Sequence, residues 1–164
     1  MIVERLSPDL AFSKSTVERL TQELDPLVEK WRKENLEGHY VYLSSDASYF
    51  HVRENNQVVK RPLLISIGID TNGYRKILGV NMVLEESSST WTEHFTALKE
   101  RGLKTVGLTI SAVHKGLVKA QEEKFPGTPH QRCMVHWERN LLFRLESQRK
   151  KRIGQIHKTD LYFS

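Results

Sequence analysis

The amino-acid sequence predicts a mixed α/β fold preceded by a short helical segment. Two observations lead to this prediction. Before residue 38, apolar residues recur at spacings of three and four, whereas aromatic and β-branched residues dominate the short segments that follow. After three consecutive strands, a β-α-β crossover then returns the chain parallel to an earlier strand.

Length and composition restrict the class of protein before any motif is considered. The chain has 164 residues, of which 38% are apolar and 27% are charged, as in ordinary globular domains. Its single cysteine, Cys133, excludes an intramolecular disulfide framework and favours a reducing compartment. No apolar run reaches the roughly 18 residues of a membrane span, and the first residues lack the layout of a signal peptide. We therefore expect a soluble, intracellular protein.

Positive charge is concentrated in the last third of the chain. Residues 101–164 carry 13 Lys and Arg against 5 Asp and Glu, whereas residues 1–100 carry 12 against 15. This asymmetry is compatible with a polyanionic partner, because cations near phosphates release counterions. The run Arg149-Lys150-Lys151-Arg152 fits two interpretations, a solvated tail or a nucleic-acid patch.

Two helices are expected before residue 38. Ser15-Thr16-Val17-Glu18 has the spacing of a capping box, and Asp25-Pro26 is typical of a second cap with proline at the first helical position. The apolar faces of these helices comprise Val17, Leu20 and Leu24 in the first, and Leu27, Val28 and Trp31 in the second.

Three strands are expected next, and short turns join them into an antiparallel meander. Residues 40–43 and 49–52 are rich in aromatic and β-branched side chains, as strands prefer. Residues 58–69 form the second strand and residues 76–80 lie in the third, while residues 54–57 and 70–73 have turn chemistry.

The remaining chain predicts a crossover and a second helical layer. Ser87-Ser88-Ser89 offers caps to a helix that ends near Gly102 and leads to a fourth strand at residues 106–110. A further helix, a short strand at Gln131-Arg132 and a last helix from near Cys133 follow. The fourth strand should pair with the first, because the second and third already pair as hairpins. This β-β-β-α-β-α order is that of the ribonuclease H-like fold.

Asp46 is the candidate catalytic residue on the first strand. It is the only acid between Glu37 and Glu54. In the ribonuclease H-like fold, a carboxylate on the first strand faces one at the end of the fourth, and with a later acid they bind two divalent cations for phosphoryl transfer. A second interpretation is that Asp46 caps a turn or bulge after Ser44-Ser45.

An ordered set of motifs then carries a family resemblance. The motifs are Ser13-Lys14-Ser15-Thr16-Val17, Tyr42-Leu43-Ser44-Ser45-Asp46-Ala47, Ile67-Gly68-Ile69-Asp70, Arg101-Gly102-Leu103, and Gln131-Arg132-Cys133-Met134-Val135-His136 with Arg139-Asn140. Together they resemble the Mutator-type transposases of bacterial insertion sequences. Cys133, His136 and Asn140 match the family's Q-R-C-x-x-H-x-x-R-N signature.

The resemblance implies a DNA transposition enzyme. Such an enzyme binds the terminal inverted repeats of its element, cleaves DNA with Mg²⁺-activated water and joins the freed end to target DNA, using an Asp-Asp-Glu triad. Asp46 would be its first member and a Mg²⁺ ligand. The resemblance also implies a cytoplasmic bacterial protein, associated with the nucleoid when bound to DNA, and a homo-oligomer or a mixed oligomer with a full-length transposase. The DNA contacts would come from Lys14, Thr16, Arg19, Arg132 and Arg139, although the first three also fit a solvated helix face.

The resemblance divides the chain into three parts. Residues 1–37 would be a remnant of a helix-turn-helix region, residues 38–145 a partial ribonuclease H-like core, and residues 146–164 a basic tail left by truncation or frameshift. We therefore expect an incomplete fold.

The sequence departs from the family pattern at the second acid. The family reads Ser-Asp where this chain has Ser111-Ala112, and no acid occurs between Glu100 and Glu122. His114 is a poor substitute, because imidazole is a weak ligand for Mg²⁺. The third acid lies beyond the signature in the family, and Glu138 and Glu146 are too close to it. We therefore expect this copy to be catalytically inactive.

His130, Cys133 and His136 raise the alternative of a zinc site. A structural zinc site needs four ligands, and only His114 and His157 remain as further candidates. We favour a packed thiol and a histidine at a helix start.

Other functions remain open at this stage. The chain could be a non-catalytic DNA-binding fragment that regulates a full-length transposase, or a decaying remnant without a role. A metal-dependent nuclease of another lineage would also need the second carboxylate.

Overall fold

The computed structural model describes residues 13–145, apart from the side chain of Lys14. In that range the helices are α1 (Lys14–Lys33), α2 (Ser88–Glu100), α3 (Lys115–Lys124) and α4 (134–145). The strands are β1 (His39–Glu54), β2 (Gln57–Ile69), β3 (Arg75–Met82), β4 (Thr105–Ser111) and β5 (His130–Arg132). The first 12 residues, the predicted tail at 146–164, its basic run at 149–152 and His157 lie outside the described residues.

The chain divides into two compact units between Leu36 and Glu37. Helix α1 belongs to the first unit, and the sheet with the other three helices belongs to the second. No helix in the described range is long and apolar enough to cross a membrane.

Helix α1 is continuous, so the prediction of two helices is wrong. Its N-cap is Ser13, whose hydroxyl accepts a hydrogen bond from the Thr16 backbone N–H at 3.2 Å, and not Ser15 as predicted. Pro26 lies inside the helix. Proline removes one backbone hydrogen bond at a cost of about 3 kcal/mol, but the residues on both sides still pair along the helix. The last turn of α1 carries three basic side chains, which interact favourably with the negative end of the helix dipole: Lys30, Arg32 and Lys33.

The second unit is built on one mixed five-stranded sheet. Its strand order is β3-β2-β1-β4-β5, with antiparallel pairs β1–β2 and β2–β3 and parallel pairs β1–β4 and β4–β5. The predicted mixed α/β class is confirmed, and the fourth strand pairs with the first as expected. The predicted turn at residues 54–57 connects β1 and β2, where Asn55 and Asn56 adopt positive φ angles of 48° and 62°. Asparagine tolerates this left-handed conformation, which suits a two-residue hairpin.

One face of the sheet is covered by α2 and α3. The core there includes Leu43 and Leu64 from the central strands and Trp91 and Phe95 from α2, all of them 0% exposed. Burial of each such side chain contributes roughly 1.5–3 kcal/mol. At Gly79, an added Cβ would lie 2.9 Å from Leu98, so glycine allows α2 to approach the sheet closely.

The opposite face of the sheet is less covered. The alternate residues of β2, including Ile65, Ile67 and Ile69, are half-buried, and Ile110 of β4 has the same character. Asp46 lies at the carboxyl end of the β1–β4 pairing, where β4 stops and the chain turns toward α3.

Candidate active site

The pairing of β1 with β4 brings Asp46 and Ala112 to neighbouring positions. Ser45 on β1 is the register partner of Ser111, the last residue of β4, so Asp46 is the next residue on β1 and Ala112 is the residue that follows β4. The Asp46 side chain is 49% exposed, and its Oδ1 accepts the Ala47 backbone N–H at 2.9 Å. The carboxylate therefore lies at the open end of the β1–β4 pairing, where Ala112 is the first residue after β4.

His136 of α4 lies next to the Asp46 carboxylate. Its Nε2 is 3.7 Å from Oδ2 of Asp46, within ion-pair distance when the imidazole is protonated. Its Nδ1 is buried and has no hydrogen-bond partner within the described residues. The sequence placed His136 in the family signature, but no spacing rule indicated that α4 would bring it to Asp46.

Strand β5 fixes the start of α4 next to β4. Arg132 is the register partner of Ser111, and the Cys133 N–H donates to the Ser111 carbonyl at 2.8 Å. The short strand suggested at Gln131-Arg132 is therefore present. It places the start of the signature segment beside Ser111, the residue before Ala112.

The three residues suggested as zinc ligands have different surroundings. The imidazole Nε2 of His130 is 2.9 Å from the Ser111 hydroxyl, Cys133 is a half-buried free thiol, and His136 faces Asp46. Between residues 13 and 145, no group of three or more His, Cys, Asp and Glu side chains is arranged to hold a metal ion.

The magnesium site that the resemblance implies would require carboxylate ligands around Asp46. Asp46 supplies carboxylate oxygens, but the Ala112 side chain supplies no ligand atom, and His114 is directed to another carboxylate. Two-metal sites need several hard oxygen ligands. Among residues 13–145, the side chains at this edge of the sheet do not fit a two-metal centre.

Glu86 forms a polar cluster that the sequence did not reveal. Its carboxylate accepts hydrogen bonds from the Tyr49 hydroxyl at 2.6 Å and the Trp91 indole N–H at 3.1 Å, and lies 3.3 Å from Nδ1 of His114. The Glu86 side chain is only 10% exposed. The hydrogen bond to this carboxylate raises the pKa of Tyr49 to about 12. Glu86 thus joins β1, α2 and the turn that carries Ala112.

A second buried polar network lies between the sheet and α2. The Ser45 hydroxyl is 2.9 Å from the Ser66 hydroxyl, which is 2.9 Å from Nε2 of His94. Burial lowers the pKa of His94 to about 4, so the imidazole is neutral at pH 7. Because successive side chains along β1 point to opposite faces of the sheet, this network lies on the face opposite Asp46.

The predicted DNA-contact residues lie in both units. Thr16 and Arg19 belong to α1, where the Thr16 hydroxyl is 2.9 Å from that of Ser13 and the Arg19 side chain is exposed. Lys14 is the first residue of α1, and its side chain is outside the description. Arg132 and Arg139 are exposed in the second unit.

Sequence comparison identifies the class of protein. The family model described as "Transposase, Mutator family" matches residues 1–162, nearly the whole chain. The chain therefore belongs to the Mutator family of transposases, and the predicted family membership is confirmed.

Individual relatives come from bacterial insertion sequences. The chain is 42% identical over 151 residues to the transposase for insertion sequence element IS256 in transposon Tn4001 of Staphylococcus aureus, covering 92% of this chain and 38% of that protein. It is 39% identical over 144 residues to the transposase for insertion sequence element IS1081 of Mycobacterium tuberculosis, covering 85% and 35%. The chain thus spans less than two-fifths of the length of these relatives.

One structural similarity is weaker. A chain in the simian T-cell lymphotropic virus intasome in complex with PP2A regulatory subunit B56 gamma matches 61% of this chain and 34% of its own length. The TM-score is 0.36 and the sequence identity is 10%. The family assignment rests on the sequence comparisons alone.

Proposed function

We propose that this chain is a copy of a transposase that binds the terminal inverted repeats of its element but neither cleaves nor joins DNA. Its second unit corresponds to the ribonuclease H-like core of the enzyme, and Asp46 to the first acid of the triad. Mg²⁺ is the cofactor that the family implies, and Asp46 is the residue that would contact it.

The observation that carries the proposal is the register of β1 and β4. Because Ser45 pairs with Ser111, the last residue of β4, the next residue of the chain, Ala112, follows at the end of the pairing next to Asp46. In a working site that residue would be a second carboxylate. The Ala112 side chain has no oxygen to bind a cation and no negative charge to offset the charge of one. A single carboxylate next to His136 is a poor substitute for a pair.

His114 does not compensate for Ala112. Its imidazole faces the Glu86 carboxylate, on the side where Tyr49 and Trp91 also donate to that carboxylate. A neutral imidazole would in any case be a weak ligand for magnesium.

DNA binding does not depend on the missing carboxylate. Arg19 on α1 and Arg132 and Arg139 in the second unit are exposed cations, and residues 101–164 carry a strong excess of positive charge. Neutralisation of phosphates by such side chains supplies affinity without any chemistry. This charge also supports a regulatory role, in which the chain occupies terminal repeats or joins a mixed oligomer and so regulates a full-length transposase.

The proposal is tested with the purified full chain and duplexes that carry the terminal repeats of its own element. We expect a gel shift that survives excess scrambled duplex of the same composition. Incubation with Mg²⁺ or Mn²⁺, the cations that support two-metal catalysis, should leave both strands intact.

Two results would contradict the proposal. If the protein nicks the repeat duplex and Asp46→Asn abolishes the nicking, the chain is an active enzyme. If scrambled duplex competes as well as the repeat sequence, the chain is not a repeat-binding protein. Asp46→Asn serves as the matched control, because it removes the charge and preserves the shape of the side chain.

A further inference from the structure

Helix α1 exposes one apolar stripe along its length. Because the helix is continuous, the apolar faces predicted for two helices join into one stripe with alternating spacings of three and four, the heptad stripe: Val17, Leu20, Leu24, Leu27 and Trp31. Its three leucines are 42%, 56% and 62% exposed. Pro26 lies at an outward heptad position and does not interrupt the stripe. This alternation is the pattern by which two helices pack against each other.

Two charged residues flank the heptad stripe on one side. Glu23 and Lys30 each immediately precede a stripe residue, and they lie one heptad apart. Neither side chain forms an ion pair with another described residue, whereas Glu29 and Arg32 pair with each other at 3.4 Å. At these flanking positions the charges of one helix meet those of a paired helix and set its direction and register. Glu23 and Lys30 therefore indicate how a partner helix would align.

Charge complementarity distinguishes the possible alignments of two α1 helices. In a parallel pair, Glu23 faces the partner's Val28. In an antiparallel pair, a shift of one heptad changes the neighbour of Glu23 from the partner's Glu23 to the partner's Lys30. The first antiparallel alignment opposes like charges, and the second forms two ion pairs because the pair is two-fold symmetric. The second alignment is therefore favoured.

A groove at the end of α1 supports the same alignment. It is lined by Leu27, Lys30, Trp31, Lys33 and Glu34. Residues 27, 30, 31 and 34 have the spacing of the four-residue hole that accepts one side chain from a paired helix. In the alignment that joins Glu23 to the partner's Lys30, the partner's Leu20 lies opposite Trp31. This leucine would fill the groove.

We infer that α1 pairs antiparallel with α1 of a second copy of this chain. Leu24 packs against the partner's Leu27, and Glu23 forms an ion pair with the partner's Lys30. The inference goes beyond the proposed function, because the pairing of α1 requires neither repeat binding nor the missing carboxylate. It also gives a mixed oligomer a defined contact surface.

The first test measures self-association of the full chain by sedimentation equilibrium without DNA. An interface of about two heptads is small, so we expect a dimer with a dissociation constant of about 1–100 µM. Leu24→Gln should raise this constant roughly 10- to 100-fold, because each copy loses a half-exposed leucine from the interface. Leu84→Gln is the matched control and should leave it unchanged, since Leu84 is a 73% exposed leucine in the second unit.

The second test reverses the flanking charges. Glu23→Lys and Lys30→Glu should each weaken self-association by about 4- to 30-fold, as two exposed ion pairs change from attraction to repulsion. An equimolar mixture of the two variants should associate as tightly as the wild type, because both ion pairs then form between unlike copies. Asp25→Lys is the matched control, since it reverses a charge at an outward position of α1, and it should change the constant by less than about 2-fold in physiological salt.

Three results would overturn the inference. The first is a chain that stays monomeric at about 200 µM, above the dissociation constant expected for so small an interface. The second is a dimer that Leu24→Gln does not weaken, which would assign association to another surface. The third is a mixture of Glu23→Lys and Lys30→Glu that associates no better than either variant alone. Circular dichroism of each variant separates these outcomes from unfolding.

Failure of the proposed function would give a different result. A chain that dimerises as described but shows no preference for repeat duplex in the gel shift would reject repeat binding and leave the pairing of α1 intact.

Discussion

Replacing Ala112 with aspartate should recreate a pair of carboxylates at the carboxyl end of the β1–β4 pairing. Adjacent strands lie about 4.8 Å apart. Two negative charges at about 5 Å repel by about 3 kcal/mol at an effective dielectric constant of about 20. Because Asp46 is 49% exposed, solvent screening reduces this to about 1 kcal/mol. We expect Ala112→Asp to lower the free energy of unfolding by that amount when no divalent cation is present.

Divalent cations should reverse the loss. A cation that binds only the folded state stabilises it by about 2.7 kcal/mol at about 100 times its dissociation constant. Urea denaturation of Ala112→Asp with and without Mn²⁺ should therefore show a clear increase in the midpoint, whereas the wild type should show almost none. Ala112→Asn is the control for side-chain size without charge.

The reasoning depends on Asp46 being the neighbour of residue 112. Adding Asp46→Asn to the Ala112→Asp variant should remove both the repulsion and most of the response to Mn²⁺. If the Ala112→Asp single variant and the Asp46→Asn/Ala112→Asp double variant respond equally to Mn²⁺, the two positions do not form one site.

Three further predictions concern the polar clusters and α1. Glu86→Gln should lower the free energy of unfolding by about 1.5–3 kcal/mol, because hydrogen bonds from Tyr49 and Trp91 lose their charged acceptor. It should also return the pKa of Tyr49 from about 12 toward 10, which ultraviolet titration measures. Because the pKa of Tyr49 is raised in the folded state, the stabilisation is complete below pH 10 and is lost as the pH rises through 12. An unchanged titration would show that Glu86 does not hold the phenol. For His94, the folded-state pKa of about 4 lies below the ordinary 6.5, so stability should fall by about 3 kcal/mol as the pH drops from 6.5 to 4. Denaturation curves of His94→Gln should lack most of this acid dependence, and an equal dependence in the variant would assign it to other groups. Pro26→Ala should increase the helical circular dichroism signal and stabilise α1 by up to about 3 kcal/mol. A loss of helical signal would instead indicate that the helix is interrupted at Pro26.

Much of the second unit could be predicted from the sequence, because its patterns are local. The Asn55-Asn56 turn and the Ser87 cap depend on a few adjacent residues, and both form as the turn and cap chemistry predicts. The pairing of β4 with β1 followed from topology, since the hairpins left β1 with one free edge. Asp46 could therefore be assigned to the end of this strand pair.

Helix α1 shows where local signals mislead. Ser15 and Asp25-Pro26 both have cap chemistry, yet each lies inside one continuous helix. A cap signal indicates only that a helix can begin there. Whether it does begin there depends on competing caps, and Ser13 offers one two residues earlier.

The polar contacts between elements could not be predicted, because no local pattern encodes them. Glu86 precedes a cap in the sequence, and only the fold brings Tyr49 and His114 to it. His136 was known as a signature residue, but its distance to Asp46 depends on the way β5 anchors α4.

A cysteine cross-link between strands tests the adjacency on which the proposed inactivity rests. Asp46→Cys and Ala112→Cys are combined with Cys133→Ser, so that no other thiol competes. Disulfides form between Cα atoms roughly 4.4–6.8 Å apart, a range that includes neighbouring strands. We predict a rapid intramolecular disulfide on mild oxidation, detected by mass spectrometry as a loss of two hydrogens in the monomer. Two thiols that stay reduced, or that link only between molecules, would show that β4 does not carry residue 112 to Asp46.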